Sequence, residues 1–113
     1  MVYKEVIAII TSLILILGSN SMASENNKTL VIFSTDWCKY CKIAKSDMEN
    51  NNQLKEVLSN YNIIKVNSDL DKATAKGYNV KSIPCFVLLD EDGKEISRQQ
   101  GYRSKQQLID FLK

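Results

Sequence analysis

The polar and apolar positions divide the chain into a leader and a folded segment. Residues 6–17, VIAIITSLILIL, run twelve positions without a charge, with Lys4 before them and Ser21-Met22-Ala23 after them. A short basic start, an apolar stretch of this length and a small-x-Ala end describe a secretory signal peptide. A membrane span needs about 20 apolar residues. The expectation is therefore a signal peptide over residues 1–23, cleaved after Ala23, and a domain over residues 24–113. Glu5 in the basic region, with Val2 and Tyr3 lengthening the run, makes an uncleaved anchor built on residues 6–17 the alternative. Under either reading the remainder is exported, to the periplasm or another extracytoplasmic face. No Cys lies near the cleavage site, so a lipid-anchored form is not expected.

After a polar lead-in, residues 29–34 (TLVIFS) form a mostly apolar run, the pattern of a strand covered on both faces. Asp36 offers a side-chain acceptor before a helical stretch. There Cys41, Ala44 and Met48 recur at helical spacing, and Lys39, Lys42, Lys45 and Asp47 occupy other faces. Asn50-Asn51-Asn52 breaks the helix, and Leu54, Val57, Leu58 and Tyr61 resume it. Residues 62–67 (NIIKVN) read as a second strand and residues 70–78 as a short helix, with Asp69 and Asp71 as its caps and Asn79 in the left-handed position that ends it. Residues 85–89 (CFVLL) and 94–100, joined by Asp90-Glu91-Asp92-Gly93, read as an antiparallel hairpin. Ser104 caps a last helix whose apolar face carries Leu108, Ile109, Phe111 and Leu112. The order is βαβαββα, and the first two strands, joined through a helix, should be parallel.

Composition narrows the function classes. The whole chain has 113 residues, room for one domain. Fifteen Lys and Arg against thirteen Asp and Glu give +2, with the signs interspersed, which argues against a nucleic-acid partner. The absence of His removes His-based acid–base catalysis and the usual hydrolase triads. Three Cys are too few for a disulfide scaffold or an all-cysteine zinc site.

Two of those Cys stand in Trp37-Cys38-Lys39-Tyr40-Cys41. Cysteines three apart at a helix start share a face, at a spacing a disulfide can close. Cys38 falls at the helix N-terminus, where free N–H groups favour a thiolate, and Lys39 adds positive charge. Cys41, one turn in, is expected to be the more shielded. This makes Cys38 the candidate nucleophile and Cys41 the candidate resolving thiol. A structural disulfide closing so small a loop would constrain little. Zinc would need two more ligands, with only Cys85 and carboxylates to draw on.

The stretch from Phe33 to Lys42 resembles the active-site segment of thioredoxin-like proteins. Ile83-Pro84 resembles their cis-proline loop, Lys65-Val66-Asn67 their second-strand segment, and Gly101 with the helix after Ser104 their C-terminal end. The Trp-Cys-x-x-Cys-Lys form is similar to small periplasmic thioredoxin-like domains, including the C-terminal domain of the periplasmic reductase DsbD. The resemblance covers about residues 28–113. It implies a thioredoxin fold, an α/β architecture with a four-stranded mixed sheet flanked by helices. It also implies that Pro84 is cis and beside the dithiol, that Ile83 offers its backbone to an extended substrate, and that Trp37, Lys39 and Tyr40 flank the substrate. For Trp37 simple core packing is a second role, compatible with the first.

Two departures bear on the direction of electron flow. Six positions before the first Cys, where thioredoxin has a buried acid, stands Ile32. Lys65, resembling the family's charged partner on the second strand, is retained. A Lys near the dithiol without a carboxylate would tune Cys38 toward thiolate and make the disulfide more oxidising; alternatively Lys65 reaches solvent along its stem. The residues between the cysteines are Lys39-Tyr40, not the Gly-Pro of thioredoxin; Tyr there also occurs in glutaredoxins, so the pair does not settle direction. Cys85, directly after Pro84, is either a buried strand residue or a third redox thiol. The reading is an exported protein-disulfide oxidoreductase that needs no bound cofactor or metal. Its partners are substrate proteins with disulfides or thiols and a second dithiol protein, membrane-bound or not, that supplies electrons. It leans to reductase, with thiol oxidase or isomerase second. A Cu(I)-binding module built on the same pair, and a fold used only for protein contact, stand as the other classes.

Overall fold

The computed structural model describes residues 27–113; the expected leader or anchor, residues 1–23, lies outside the described residues. Eight elements follow in order: β1 (Thr29–Ser34), α1 (Lys39–Asn50), α2 (Asn52–Leu58), β2 (Asn62–Asn67), α3 (Lys72–Gly77), β3 (Cys85–Leu89), β4 (Glu95–Gln100) and α4 (Lys105–Leu112). The four strands make one sheet in the order β2-β1-β3-β4. β1 and β2 are parallel, whereas β1–β3 and β3–β4 are antiparallel. The mixed sheet and the hairpin are those read from the sequence.

The apolar run of β1 is explained by its central place. Leu30 and Ile32 point to one face of the sheet, where with Phe86 they meet Ala44 of α1, Leu54 of α2, and Leu108, Ile109 and Leu112 of α4. Val31 and Phe33 point to the other, where Cys85, Val87 and Leu89 join them under Ala75 and Tyr78. Alternate residues of one strand thus feed two separate cores, so no polar position is tolerated between Leu30 and Phe33.

The asparagine triplet divides the first helix as expected. Asn51 leaves the helical conformation, donates its N–H to the Asp47 carbonyl, and accepts the Leu54 N–H on its side chain at 2.9 Å. One residue thereby closes α1 and caps α2, and the bend carries Leu54 into the core with no exposed surface. In α4, Ser104 and Gln107 satisfy each other's backbone N–H groups in a capping box. The Tyr61 hydroxyl donates to the Leu112 carbonyl, supplying a partner to a helix end that lacks one.

The short helix and the last strand differ in their ends from the sequence reading. The short helix begins at Lys72, not at residue 70, because Asn67 takes the N–H groups of Asp69 and Leu70 on its side chain and holds them in a turn. Asp71 caps that helix through Thr74, and Asn79 ends it at φ 55°. The last strand begins at Glu95, because Asp90 accepts the N–H groups of Asp92 and Lys94 and extends the turn around Gly93, whose φ of 84° suits glycine.

Candidate active site

The loop from β1 to α1 ends at Cys38, which is the helix N-cap. Its sulfur accepts the Cys41 backbone N–H at 3.1 Å, in the place that a Ser or Asp oxygen usually fills. Cys38 and Cys41 are joined by a disulfide, with Cα atoms 5.1 Å apart. The Cys38 sulfur thus meets a backbone donor at the helix N-terminus. Asp36 is not the cap that the sequence suggested. The helix starts two residues too late for its carboxylate to reach the first-turn N–H groups, and it accepts instead from Asn67 Nδ2 at 3.4 Å.

The expected difference in shielding between the two cysteines is absent in this oxidised state: Cys38 is 5% exposed and Cys41 6%. Bonded sulfurs cover each other, so what separates the pair is place, not burial. Cys38 holds the helix end, whereas Cys41 lines a cavity of about 300 Å³ behind it.

The flanking residues follow. Trp37 is 69% exposed, which excludes core packing, and its indole N–H donates to Asp69 Oδ2 at 2.8 Å. Asp69, expected to cap the short helix, is engaged there instead. Tyr40 lies on Tyr102 with ring centroids 5.1 Å apart, and Lys39 Nζ stands 5.9 Å from the Tyr40 centroid. The Ile83–Pro84 peptide bond is cis, and Pro84 is buried and shares the cavity wall with Cys41. Ile83 is half-buried and makes no backbone hydrogen bond among the described residues. Lys65 pairs in register with Ile32, is exposed, and lines the same cavity as Cys41.

Cys85 stands apart. It is a free thiol with no exposed surface, in the core of Val31, Phe33 and Val87 on the α3 side of the sheet, and burial pushes its pKa up, with Arg98 opposing. Its position agrees with a buried strand residue.

Several supporting contacts carry no signal in the sequence. Gln100 accepts the N–H groups of Lys81 and Ser82 at 2.7 and 3.3 Å, and the Gly101 N–H donates to the Pro84 carbonyl at 2.8 Å. Together they tie the cis-proline loop to the end of β4. Asn67, Asp69 and Tyr102 likewise act across long sequence separations that only the folded register reveals.

The family model of the thioredoxin-like domain matches residues 20–113. The chain belongs to the thioredoxin-like family. Among its relatives, the thioredoxin of Chlamydia caviae is 39% identical over 83 residues, covering 74% of this chain and 78% of that one. Among solved structures, a mutant thioredoxin from Halobacterium salinarum superposes with a TM-score of 0.66 at 27% identity, over 80% of this chain and 75% of that one. A thioredoxin-fold protein from Helicobacter pylori reaches a TM-score of 0.73 at 24% identity, over 79% and 68%, and speaks to the fold alone. This thioredoxin-like domain, with its joined Cys38–Cys41 pair, is a thiol–disulfide oxidoreductase.

Proposed function

We propose that this thioredoxin-like protein is exported and reduces disulfides in extracytoplasmic proteins, with Cys38 as nucleophile and Cys41 as resolving thiol. The observation that carries the roles is the hydrogen bond from the Cys41 N–H to the Cys38 sulfur at the helix N-cap. In the reduced protein the Cys38 thiolate attacks one sulfur of the substrate disulfide. A Cys38–substrate bond forms, the substrate S–S bond breaks, and the departing sulfur takes a proton. Cys41 loses its proton and attacks the Cys38 sulfur. The Cys38–Cys41 bond forms and the second substrate sulfur leaves. Two electrons and two protons pass to the substrate, and a second dithiol protein, in the membrane or soluble, returns the electrons.

Trp37, Lys39 and Tyr40 border the approach to the dithiol. The unpaired backbone of Ile83, beside Pro84, suits strand-like pairing with an extended substrate. Export is supported by the pattern of residues 1–23, whether that segment is cleaved or kept as an anchor.

One observation favours a second reading, thiol oxidation or isomerisation. The wall beside Cys41 presents Ile32 and three lysines, Lys42, Lys45 and Lys65, with Asp36 as its one carboxylate. Such surroundings favour thiolate and hence the reduced form, making the disulfide a stronger oxidant. The reduction potential decides the direction. A value near about −270 mV supports reductase, and one near about −120 mV supports oxidase. Insulin reduction by the purified protein, abolished in Cys38→Ser, tests the chemistry; turnover unaffected by that change refutes it. Fractionation with N-terminal sequencing tests export and cleavage after Ala23.

A further inference from the structure

The cavity beside Cys41 gathers positive charge from two elements. Lys42 and Lys45, three apart on one face of α1, and Lys65 from β2 all line it. None of the three ammonium groups has an ion-pair or hydrogen-bond partner among the described residues. Asp36 is the one carboxylate on the wall, and it is engaged by Asn67. The Ser34 hydroxyl, on the same wall, is also without a partner among the described residues. Three cations around a concavity focus their field there more strongly than isolated surface lysines do. At about 300 Å³ the space exceeds the roughly 30 Å³ share of one water many times over. Its floor includes Ile32 and Met48, an apolar surface suited to methylene groups.

We propose that this cavity, lined by Cys41 and Pro84, is an oxyanion subsite that receives a carboxylate carried by the polypeptide substrate. The charge of the wall selects an oxyanion, and the Ile32 and Met48 side chains beside it suit the short aliphatic stem of a carboxylate. The choice of substrate rests on the oxidoreductase reading; the binding of an oxyanion does not, and the two are tested separately.

The first arm titrates the oxidised full chain with sulfate at constant ionic strength and follows amide NMR shifts. Saturable shifts are expected at residues 34–36 and Lys65, weakened several-fold in Lys42→Gln/Lys65→Gln and restored in Lys42→Arg/Lys65→Arg. The second arm compares kcat/KM for two disulfide peptides that differ only in Glu or Gln beside the half-cystine. Exposed charge pairs of this kind predict a preference for Glu of roughly two- to fivefold, falling toward equality in the Lys→Gln variant. Shifts that do not saturate, or that persist unchanged in the Lys→Gln variant, overturn the site. Saturable sulfate binding without a Glu preference overturns the assignment to a substrate carboxylate and leaves a free oxyanion as ligand. Sulfate binding with neither peptide turned over upholds the site and refutes the oxidoreductase reading instead.

Discussion

Gln100 offers the sharpest test of how the substrate-facing loop is held. Its Oε1 accepts the N–H groups of Lys81 and Ser82, immediately before the Ile83–Pro84 bond. Gln100→Met keeps the length of the side chain and removes the acceptor, whereas Gln100→Glu keeps an acceptor oxygen. A net intramolecular hydrogen bond contributes about 0.5–1.5 kcal/mol. Counting the 2.7 Å bond near the middle of that range and the 3.3 Å bond at its foot, Gln100→Met should cost about 1.5 kcal/mol. For a domain of this size that lowers Tm by roughly 6–12 °C. Urea denaturation measures the loss, and amide hydrogen exchange locates it. Protection at Lys81 and Ser82 should fall in Gln100→Met and remain in Gln100→Glu. Because Ile83 is proposed to pair with the substrate, kcat/KM on a peptide disulfide should fall with it, mainly through KM. Unchanged stability and unchanged exchange at those two amides would refute the reasoning.

Three further outcomes follow from the packing and the charges. Leu54→Ala removes a side chain with no exposed surface at the junction of α1, α2 and α4, and should cost about 2–5 kcal/mol by denaturant titration; a loss under about 1 kcal/mol would mean the bend at Asn51 does not deliver it to the core. The carboxyl of Asp71 is held below its usual range by hydrogen bonds from Thr74, and that of Glu95 by hydrogen bonds from Arg98. Lowered carboxyl pKa values give stability that is present above the unfolded value, near about pH 4, and lost as pH falls through the folded one. Asp71→Asn and Glu95→Gln should therefore flatten the acid limb of the stability curve, and an unchanged slope below about pH 4 would count against both contacts. Burial raises the Cys85 pKa above the ordinary value of 9.0, so the stability it confers is present below about pH 9 and declines as pH rises through the folded value. In the native protein Cys85 should resist alkylation at about pH 8 while the reduced Cys38 reacts; rapid labelling of Cys85 would contradict its place in the core.

The strands were legible in the sequence because each requirement was local. The apolar run of β1 announced two covered faces, and Asp90 to Gly93 announced a hairpin. The break at Asn50-Asn51-Asn52 was legible for the same reason, since Asn51 ends one helix and starts the next through its own side chain. The dithiol was readable from its spacing, but its cap was not. Nothing in the sequence distinguishes an Asp that caps from one that stands two residues too early, and the sulfur took the position that Asp36 was expected to fill. Asp69 shows the same limit. Beside a short helix it reads as a cap, yet its partner is Trp37, 32 residues away. Gln100, Asn67 and Tyr102 act through tertiary register, which residue spacing along the chain does not encode.

Cys38 and Cys41 are proposed to have different jobs because one caps the helix and the other lies a turn within it. Trapping tests this most directly. Cys41→Ser, reduced and mixed with a disulfide-bonded protein, should accumulate a mixed disulfide that peptide mapping by mass spectrometry places on Cys38, and Cys38→Ser should accumulate none. A link found on Cys85, or equal trapping by both variants, would contradict the account.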